Sequence, residues 1–113
     1  MNEFDVVVIG GGPGGYVCAA ECAKLGKKTA LIEKDALGGT CLNRGCIPTK
    51  SLLHAAELYT EISRGEEFGV KAENISVDFA RLKDRKNEVI LSLRAGIEMM
   101  LKGAKVTVFK GEG

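Results

Sequence analysis

Residues 4–15 read FDVVVIGGGPGG, an apolar run that passes directly into a run of glycines. The β-branched part, which ends at Ile9, predicts a strand buried on both faces, as at the centre of a parallel sheet. Small residues recur from Tyr16 to Leu25 and predict a helix packed closely against that sheet, with Pro13 in its first turn. The stretch therefore predicts a strand, a tight glycine turn and a helix, which together begin a βαβ unit.

The rest of the chain extends this unit into a three-stranded α/β domain. Thr29 to Ile32 predicts a second strand that ends at Glu33 and completes the βαβ unit. Alternating strands and helices predict a doubly wound, Rossmann-like parallel sheet with strand order 3-2-1. These strands would make up an incomplete first half of that fold. The first strand would be central in such a fold, but here it would lie unpaired along one side. This indicates the front end of a longer protein rather than a minimal module. The later predicted elements are a helix over about 47–63, a loop over 64–77, a helix from an N-cap at Asp78 to about Gly103, and a strand over 106–109.

The glycine run fits a nucleotide-binding pattern. Gly10, Gly12 and Gly15 satisfy GxGxxG, in which the glycines permit the turn, the approach of a pyrophosphate and close packing of helix on strand. Glu33, eighteen residues after Gly15, is placed to hydrogen-bond a ribose hydroxyl, which disfavours a 2′-phosphate. We therefore predict a dinucleotide site. The alternatives are a glycine turn that binds nothing and, for Glu33, a solvated charge at a strand end.

A second motif follows the second strand. Residues 38–50 read GGTCLNRGCIPTK and place Cys41 and Cys46 five positions apart. Cysteines at this spacing cannot bridge along an undistorted helix, because a disulfide needs Cα atoms roughly 4.4–6.8 Å apart. A turn or a distorted first helical turn is implied, which Gly45 and Pro48 permit. Thiols at a helix start are acidified by its free N–H groups, so the sequence predicts a reversible redox pair rather than a structural staple.

Other interpretations of the cysteines stay open. Cys18 and Cys22 lie four apart on one face of the first predicted helix, where free cysteines usually serve as small apolar residues. The four cysteines could together hold zinc. Two features weaken this interpretation: the first pair belongs to the dinucleotide helix, and the second pair is flanked by glycines and a lysine rather than by further ligands. Cys41 and Cys46 could also be inert core residues. His54, the only histidine, is interpreted as a residue on a helix face and not as a base.

The composition argues against several classes of partner. Sixteen Lys and Arg against fifteen Asp and Glu give a formal charge of +1, which provides no field to recruit nucleic acid or an anionic membrane. No apolar run reaches membrane length, and no signal peptide is visible before the first strand. Four cysteines without a secretory signal indicate a reducing compartment, where a close dithiol is more often catalytic or metal-bound than structural. We therefore expect a cytoplasmic protein without nucleic-acid or membrane partners.

A dinucleotide fold whose second strand is followed within ten residues by a dithiol suggests electron transfer between a ring cofactor and a disulfide. Flavin suits this chemistry better than nicotinamide, because it accepts a hydride and also reacts with sulfur nucleophiles. GGGPGGY at 10–16, Glu33 and the motif at 38–50 resemble the amino-terminal FAD segment of the pyridine nucleotide-disulfide oxidoreductases, over residues 5–113. Within that family the resemblance is nearest to the members that oxidise dihydrolipoyl groups, a choice based on Tyr16, Ile47, Thr49 and the run SLLHAAE.

The resemblance implies a role for each matching residue. Cys41 would be the interchange thiol that attacks the lipoyl disulfide, and Cys46 the thiol in charge-transfer contact with the flavin. Lys50 would lie near the flavin N5 and tune its electronics, and Glu33 would bind the adenosine ribose. The other implied FAD contacts are Gly10, Gly12, Pro13, Gly14 and Gly15 at the pyrophosphate, the backbone of Lys34, Gly39 and Thr40 over the cofactor, and Gly113 at the adenosine end.

The resemblance also implies the reaction of the whole enzyme. A dihydrolipoyl group would be oxidised and NAD reduced, through the enzyme disulfide and FAD, by a homodimer that serves lipoyl-bearing domains of 2-oxo acid dehydrogenase or glycine cleavage complexes. Residues 1–113 would be the amino-terminal part of the FAD-binding domain, with the rest of that domain, the NAD domain and the dimer-interface domain absent. We expect such a fragment to be inactive by itself. The alternatives are another reductase of the family, of glutathione or mercuric type, and a stand-alone nucleotide-binding module with structural cysteines.

Overall fold

A computed structural model describes residues 2–113, and the predicted βαβ unit forms its first part. Strand β1 spans Val6–Ile9, helix α1 spans Pro13–Lys24 and strand β2 spans Thr29–Glu33. The two strands pair in parallel along their whole common length. Helix α1 begins at Pro13, which confirms the prediction that this proline lies in its first turn.

The third strand, β3 (Thr107–Lys110), pairs in parallel with β2. The sheet order is β1-β2-β3, which confirms the predicted order 3-2-1 and the α/β class. The middle strand is β2, and its residues Ala30 and Leu31 are buried. Strand β1 was expected to be buried on both faces, but its burial alternates and Val7 and Ile9 are 52% and 67% exposed. The reason is that, within residues 2–113, α1 covers only the other face of β1 and no strand pairs with its outer edge.

Three further helices lie between β2 and β3. Their bounds are α2 Gly39–Arg44, α3 Cys46–Ser63 and α4 Phe79–Gly103, with a short 3₁₀ turn at Gly65–Phe68 in the predicted loop. Helix α4 begins at the predicted N-cap, because the Asp78 side chain accepts a 3.0 Å hydrogen bond from the backbone N–H of Arg81. Helices α3 and α4 thus confirm the sequence prediction, whereas α2 was not predicted.

One apolar core lies between the sheet and the helices α1 and α4, which contact each other on one face of the sheet. Leu31 of β2 and Leu101 of α4 are its largest fully buried apolar side chains. Leu37 and Leu42, which flank the start of the cysteine motif, belong to the same core. The core therefore anchors the segment that carries Cys41 directly against the βαβ unit. Among the described residues, no helix is long and apolar enough to span a bilayer.

Candidate functional site

The glycine loop joins β1 to α1 at the carboxyl end of the strand. Gly10 has a φ of 101°, a left-handed conformation that favours glycine, and its N–H donates a 2.8 Å hydrogen bond to the carbonyl of Ile32 on the neighbouring strand. A Cβ at Gly15 would lie 1.8 Å from the carbonyl oxygen of Gly10, so no larger residue fits without moving the loop. These are the turn and the close helix-strand packing that the GxGxxG pattern predicts.

The first turn of α1 offers unpaired backbone donors. Its N-cap, Gly12, has no side chain to cap the helix, and Pro13 has no N–H. The amides of Gly14 and Gly15 belong to this first turn, where a helix supplies no carbonyl partner, and the space beside Gly14 is open. Free amides and the positive end of the helix dipole suit a phosphate group. The residues present therefore fit the pyrophosphate of a dinucleotide.

The carboxylate of Glu33 faces the glycine loop. One oxygen, Oε2, accepts a 2.7 Å hydrogen bond from the N–H of Gly11, and the other, Oε1, accepts a 2.7 Å bond from the N–H of Asp35. The Asp35 and Gly11 amides hold the pKa of Glu33 below its usual range, so the group is ionised at neutral pH. Glu33 thus braces the loop, a contact that the sequence spacing alone did not indicate, and it lies at the strand end predicted for a ribose contact.

The start of the cysteine motif packs onto the glycine loop. The N–H of Gly38 donates a 2.8 Å hydrogen bond to the carbonyl of Gly11. Gly39 has a φ of 65°, and a Cβ on it would lie 2.7 Å from the Cα of Gly12. Only glycine fits this approach of two backbones. The glycine loop and the segment that carries the two cysteines are therefore neighbours in space.

The two motif cysteines lie on two successive helices. Cys41 is in the first turn of α2, and Cys46 is the first residue of α3. Between them Gly45 adopts φ −125° and ψ −109°, and a Cβ there would lie 3.0 Å from the carbonyl oxygen of Thr40 and 3.2 Å from the Cα of Cys41. The predicted distortion between the cysteines is thus present, at Gly45, where a side chain would require the neighbouring backbone to shift by a few tenths of an ångström. Both cysteines are free thiols.

The Cys41 thiol differs from an isolated thiol at a helix start, whose pKa the free N–H groups would lower. Its pKa is raised, chiefly because its thiol shares a hydrogen bond with the Cys46 thiol, and also through partial desolvation and the charge that Cys46 would carry. The nearby ammonium of Lys50 opposes this effect but is a smaller influence. The two sulfurs are therefore close enough for one thiol to influence the ionisation of the other, which sequence spacing could not decide.

The other predicted cofactor contacts lie around the same strand ends. Lys34 follows Glu33 directly, is exposed and forms a 3.3 Å ion pair with Glu112. Gly113 lies beside the end of β1, since a Cβ on it would be 3.1 Å from the Ile9 side chain. Thr40 is exposed on α2, next to Gly39. Lys34 and Gly113 thus lie at the carboxyl ends of the strands, and Thr40 lies between that edge and the dithiol.

The remaining candidate residues lie apart from this site. Cys18 is exposed and Cys22 half-buried on α1, and burial together with the neighbouring Cys18 thiol raises the pKa of Cys22. Within residues 2–113, His, Cys, Asp and Glu form no group of three or more that could hold a metal ion. The imidazole of His54 is 83% exposed on α3 and lies 3.9 Å from the Glu57 carboxylate, as its interpretation as a helix-face residue expects.

The structural roles of Gly11 and Gly38 were not predicted from the sequence. Gly11 is buried, and a Cβ on it would lie 2.7 Å from Leu37 and 3.1 Å from the Glu33 carboxylate. Gly38 has a φ of 104° and binds the Gly11 carbonyl through its N–H. The available signal was the run of consecutive glycines in each motif, which exceeds what GxGxxG requires.

The fold and site define an α/β domain in which a pair of neighbouring thiols lies beside a glycine loop whose free amides fit a dinucleotide. A model of the pyridine nucleotide-disulphide oxidoreductase family matches residues 4–113, and the chain belongs to this family. Its members are FAD-dependent flavoproteins. The resemblance stated from the motifs alone is therefore confirmed.

Individual relatives agree with this assignment. The chain is 52% identical to a dihydrolipoyl dehydrogenase of Chlamydia trachomatis, over 100% of the chain and 24% of that enzyme. It is 48% identical to a dihydrolipoyl dehydrogenase of Geobacillus stearothermophilus, over 97% of the chain and 23% of that enzyme. A solved structure, the Cu(II) complex of the HOCl-induced flavoprotein disulfide reductase RclA of Escherichia coli, matches with a TM-score of 0.79 and 36% identity, over 99% of this chain and 22% of that one. The chain thus spans about a quarter of the length of its curated relatives.

Proposed function

We propose that this chain is the amino-terminal FAD-binding part of a dihydrolipoyl dehydrogenase, which oxidises dihydrolipoyl groups and reduces NAD. The observation that carries the proposal is the contact between the two motifs. The Gly38 amide binds the Gly11 carbonyl at 2.8 Å, and Gly39 lies against Gly12. A cofactor whose phosphates rest on the glycine loop would therefore extend past the segment that carries the dithiol.

In this proposal the chain holds FAD through backbone groups. The amides of Gly14 and Gly15 bind the pyrophosphate, and Gly10 and Gly12 with Pro13 shape the turn that presents them. Glu33 remains ionised because two backbone amides stabilise its charge, and its remaining lone pairs accept from the ribose hydroxyls. The other contacts carried over from the family are the Lys34 backbone, Gly39, Thr40 and Gly113.

The dithiol handles the sulfur chemistry. When a dihydrolipoyl group reduces the Cys41–Cys46 disulfide, two substrate thiols form one disulfide while one protein disulfide opens to two thiols, so electrons and protons balance. Cys41 is the interchange thiol and Cys46 the thiol nearer the flavin. FAD, when bound, supplies a two-electron acceptor for the reduced pair. Lys50 holds a positive charge near the dithiol, which favours the thiolate form.

The wider assignment is also part of the proposal. Residues 1–113 form the first part of an FAD domain, and the NAD domain and a dimer-interface domain belong to the parent polypeptide. The parent is a cytoplasmic homodimer that receives lipoyl-bearing domains of 2-oxo acid dehydrogenase or glycine cleavage complexes. We expect that turnover needs the NAD domain of the parent polypeptide in addition to these residues.

The experiment is a steady-state assay of the polypeptide that contains this segment. We expect dihydrolipoamide oxidation coupled to NAD reduction, with loss of at least about 10³-fold in kcat in Cys41→Ser and in Cys46→Ser. Cys18→Ser is the matched control and should keep full activity. Faster reduction of glutathione disulfide than oxidation of dihydrolipoamide would favour another reductase of the family. Full activity in Cys41→Ser would contradict the proposal, and so would steady NAD reduction by the isolated 113 residues.

A further inference from the structure

Arg94 carries its charge on the core-facing side of α4. Ile90 lies one turn before it and Ile97 one turn after it, and both are buried in the core. Arg94 itself is only half-buried, yet its Nε has no hydrogen-bond partner among the described residues. A guanidinium in this position is costly unless its other nitrogens are well bound. The contact made by its Nη2 therefore matters for the stability of this region.

The partner of Nη2 is Asn43, in the last turn of α2. The Arg94 Nη2 donates a short hydrogen bond to the Asn43 Oδ1. The Asn43 Nδ2 in turn donates to two backbone carbonyls, at 2.9 Å to Gly39 and at 3.1 Å to Leu37. One amide oxygen that accepts and one amide nitrogen that donates twice fix the orientation of the Asn43 side chain. Asn43 thus ties the residues before and at the start of α2 to α4.

The same segment touches both functional motifs. Gly39, whose carbonyl Asn43 holds, lies against Gly12 of the glycine loop. Cys41 lies two residues before Asn43 on the same six-residue helix. A helix this short has little stability of its own and needs tertiary contacts to stay formed. The Arg94 contact supplies one such restraint from α4, a long helix that packs against both α1 and α2.

We infer that Arg94 is a positioning residue for the Cys41–Cys46 dithiol, acting through Asn43; this rests on the proposed redox role of the pair. Without the guanidinium, the Asn43 Oδ1 loses its donor, and the amide is free to turn away from the two carbonyls it binds. The first turn of α2 then loosens, and the Cys41 sulfur samples positions farther from Cys46. The disulfide becomes less favoured because proximity of the two thiols determines its equilibrium constant.

The test is the thiol–disulfide equilibrium with glutathione. The protein dithiol and one oxidised glutathione give the protein disulfide and two reduced glutathiones, and the equilibrium constant is the effective concentration of the pair. Measurement in a Cys18→Ser/Cys22→Ser background leaves only Cys41 and Cys46 to react. We expect Arg94→Met to lower the effective concentration about 10-fold and Arg94→Lys, which keeps a donor, about 3-fold or less. Arg85→Met, at an exposed site on the same helix, is the matched control and should change it less than about 2-fold.

A second variant separates positioning from general stability. Asn43→Asp keeps an acceptor for Arg94 but loses both donors to the backbone, and it should lower the effective concentration as Arg94→Met does. The effective concentration in the double variant should be no lower than in the more affected single variant. Both substitutions break the same chain of hydrogen bonds, from Arg94 through Asn43 to the backbone of α2. Multiplied effects in the double variant would overturn the inference, and so would an unchanged equilibrium constant in folded Arg94→Met. FAD is absent from this measurement, so its outcome is independent of whether the chain binds the cofactor.

Discussion

The N–H of Gly38 donates a 2.8 Å hydrogen bond to the carbonyl of Gly11, and this bond joins the cysteine motif to the glycine loop. The two residues are separated by a helix and a strand in the sequence. Their contact converts two separate sequence motifs into one site. The groups that hold this site together can each be tested by substitution.

Gly15→Ala should destabilise the chain by about 1–3 kcal/mol, because the added Cβ would lie 1.8 Å from the Gly10 carbonyl oxygen. Urea unfolding followed by circular dichroism measures this change. Gly96→Ala is the control, since Gly96 lies within α4 with open space beside it, and alanine there should stabilise by up to about 1 kcal/mol. Equal stability of Gly15→Ala and the unmodified chain would mean that the loop is not packed as described.

Glu33→Gln should lower the free energy of unfolding at neutral pH by about 1–2 kcal/mol. A neutral side-chain amide cannot accept from both the Gly11 and the Asp35 backbone N–H groups as the carboxylate does. The folded-state pKa of Glu33 is lowered, so its contribution to stability is present above its unfolded-state pKa of about 4.3 and is lost as the pH falls through the lower folded-state value. Unfolding free energies from pH 7 down to pH 3 should therefore decline less steeply in Glu33→Gln than in the unmodified chain. Parallel curves would contradict the bracing role of this carboxylate.

Cys46→Ala should lower the pKa of Cys41, since the Cys46 thiol is the main cause of its elevation. The pH profile of Cys41 alkylation by iodoacetamide, followed by mass spectrometry, should move to lower pH in this variant. Cys22→Ala, on a different helix, should leave the profile unchanged. A profile that stays in place in Cys46→Ala would show that the two thiols do not interact.

Gly45→Ala should separate the two cysteines, because its Cβ would approach Thr40 and Cys41 to 3.0 and 3.2 Å. We expect the effective concentration of the dithiol, measured against glutathione, to fall about 10-fold. Gly103→Ala, at the end of α4 with open space around it, provides the control and should have no effect. The interpretation of Gly45 as a necessary turn fails if alanine there preserves the equilibrium.

The sequence predicted those parts of the fold that depend on local pattern. The βαβ unit follows from the apolar run that ends at Ile9 and the glycines after it, and the start of α4 follows from Asp78 as N-cap. Helix α2 escaped prediction because its six residues, GTCLNR, are too few to display helical periodicity and begin with glycine. The burial of β1 was overestimated because an apolar run does not reveal which of its faces the rest of the chain covers.

The sequence indicated candidate residues for the site but not the contacts among them. The spacing of Cys41 and Cys46 indicated a distorted backbone, which the structure has at Gly45. The raised pKa of Cys41 depends on the proximity of a second thiol. The hydrogen bond between Glu33 and Gly11 depends on the register of β1 against β2. Both are tertiary facts that periodicity and spacing do not encode.

A fluorescence titration of FAD with the purified chain measures whether the glycine loop binds FAD beside the two cysteines. We expect saturable quenching of the flavin with one FAD per chain, and affinity at least about 10-fold weaker in Gly15→Ala under conditions where that variant remains folded. The loop does not bind FAD if the folded chain fails to quench the flavin at any concentration, or if folded Gly15→Ala binds FAD as tightly as the unmodified chain.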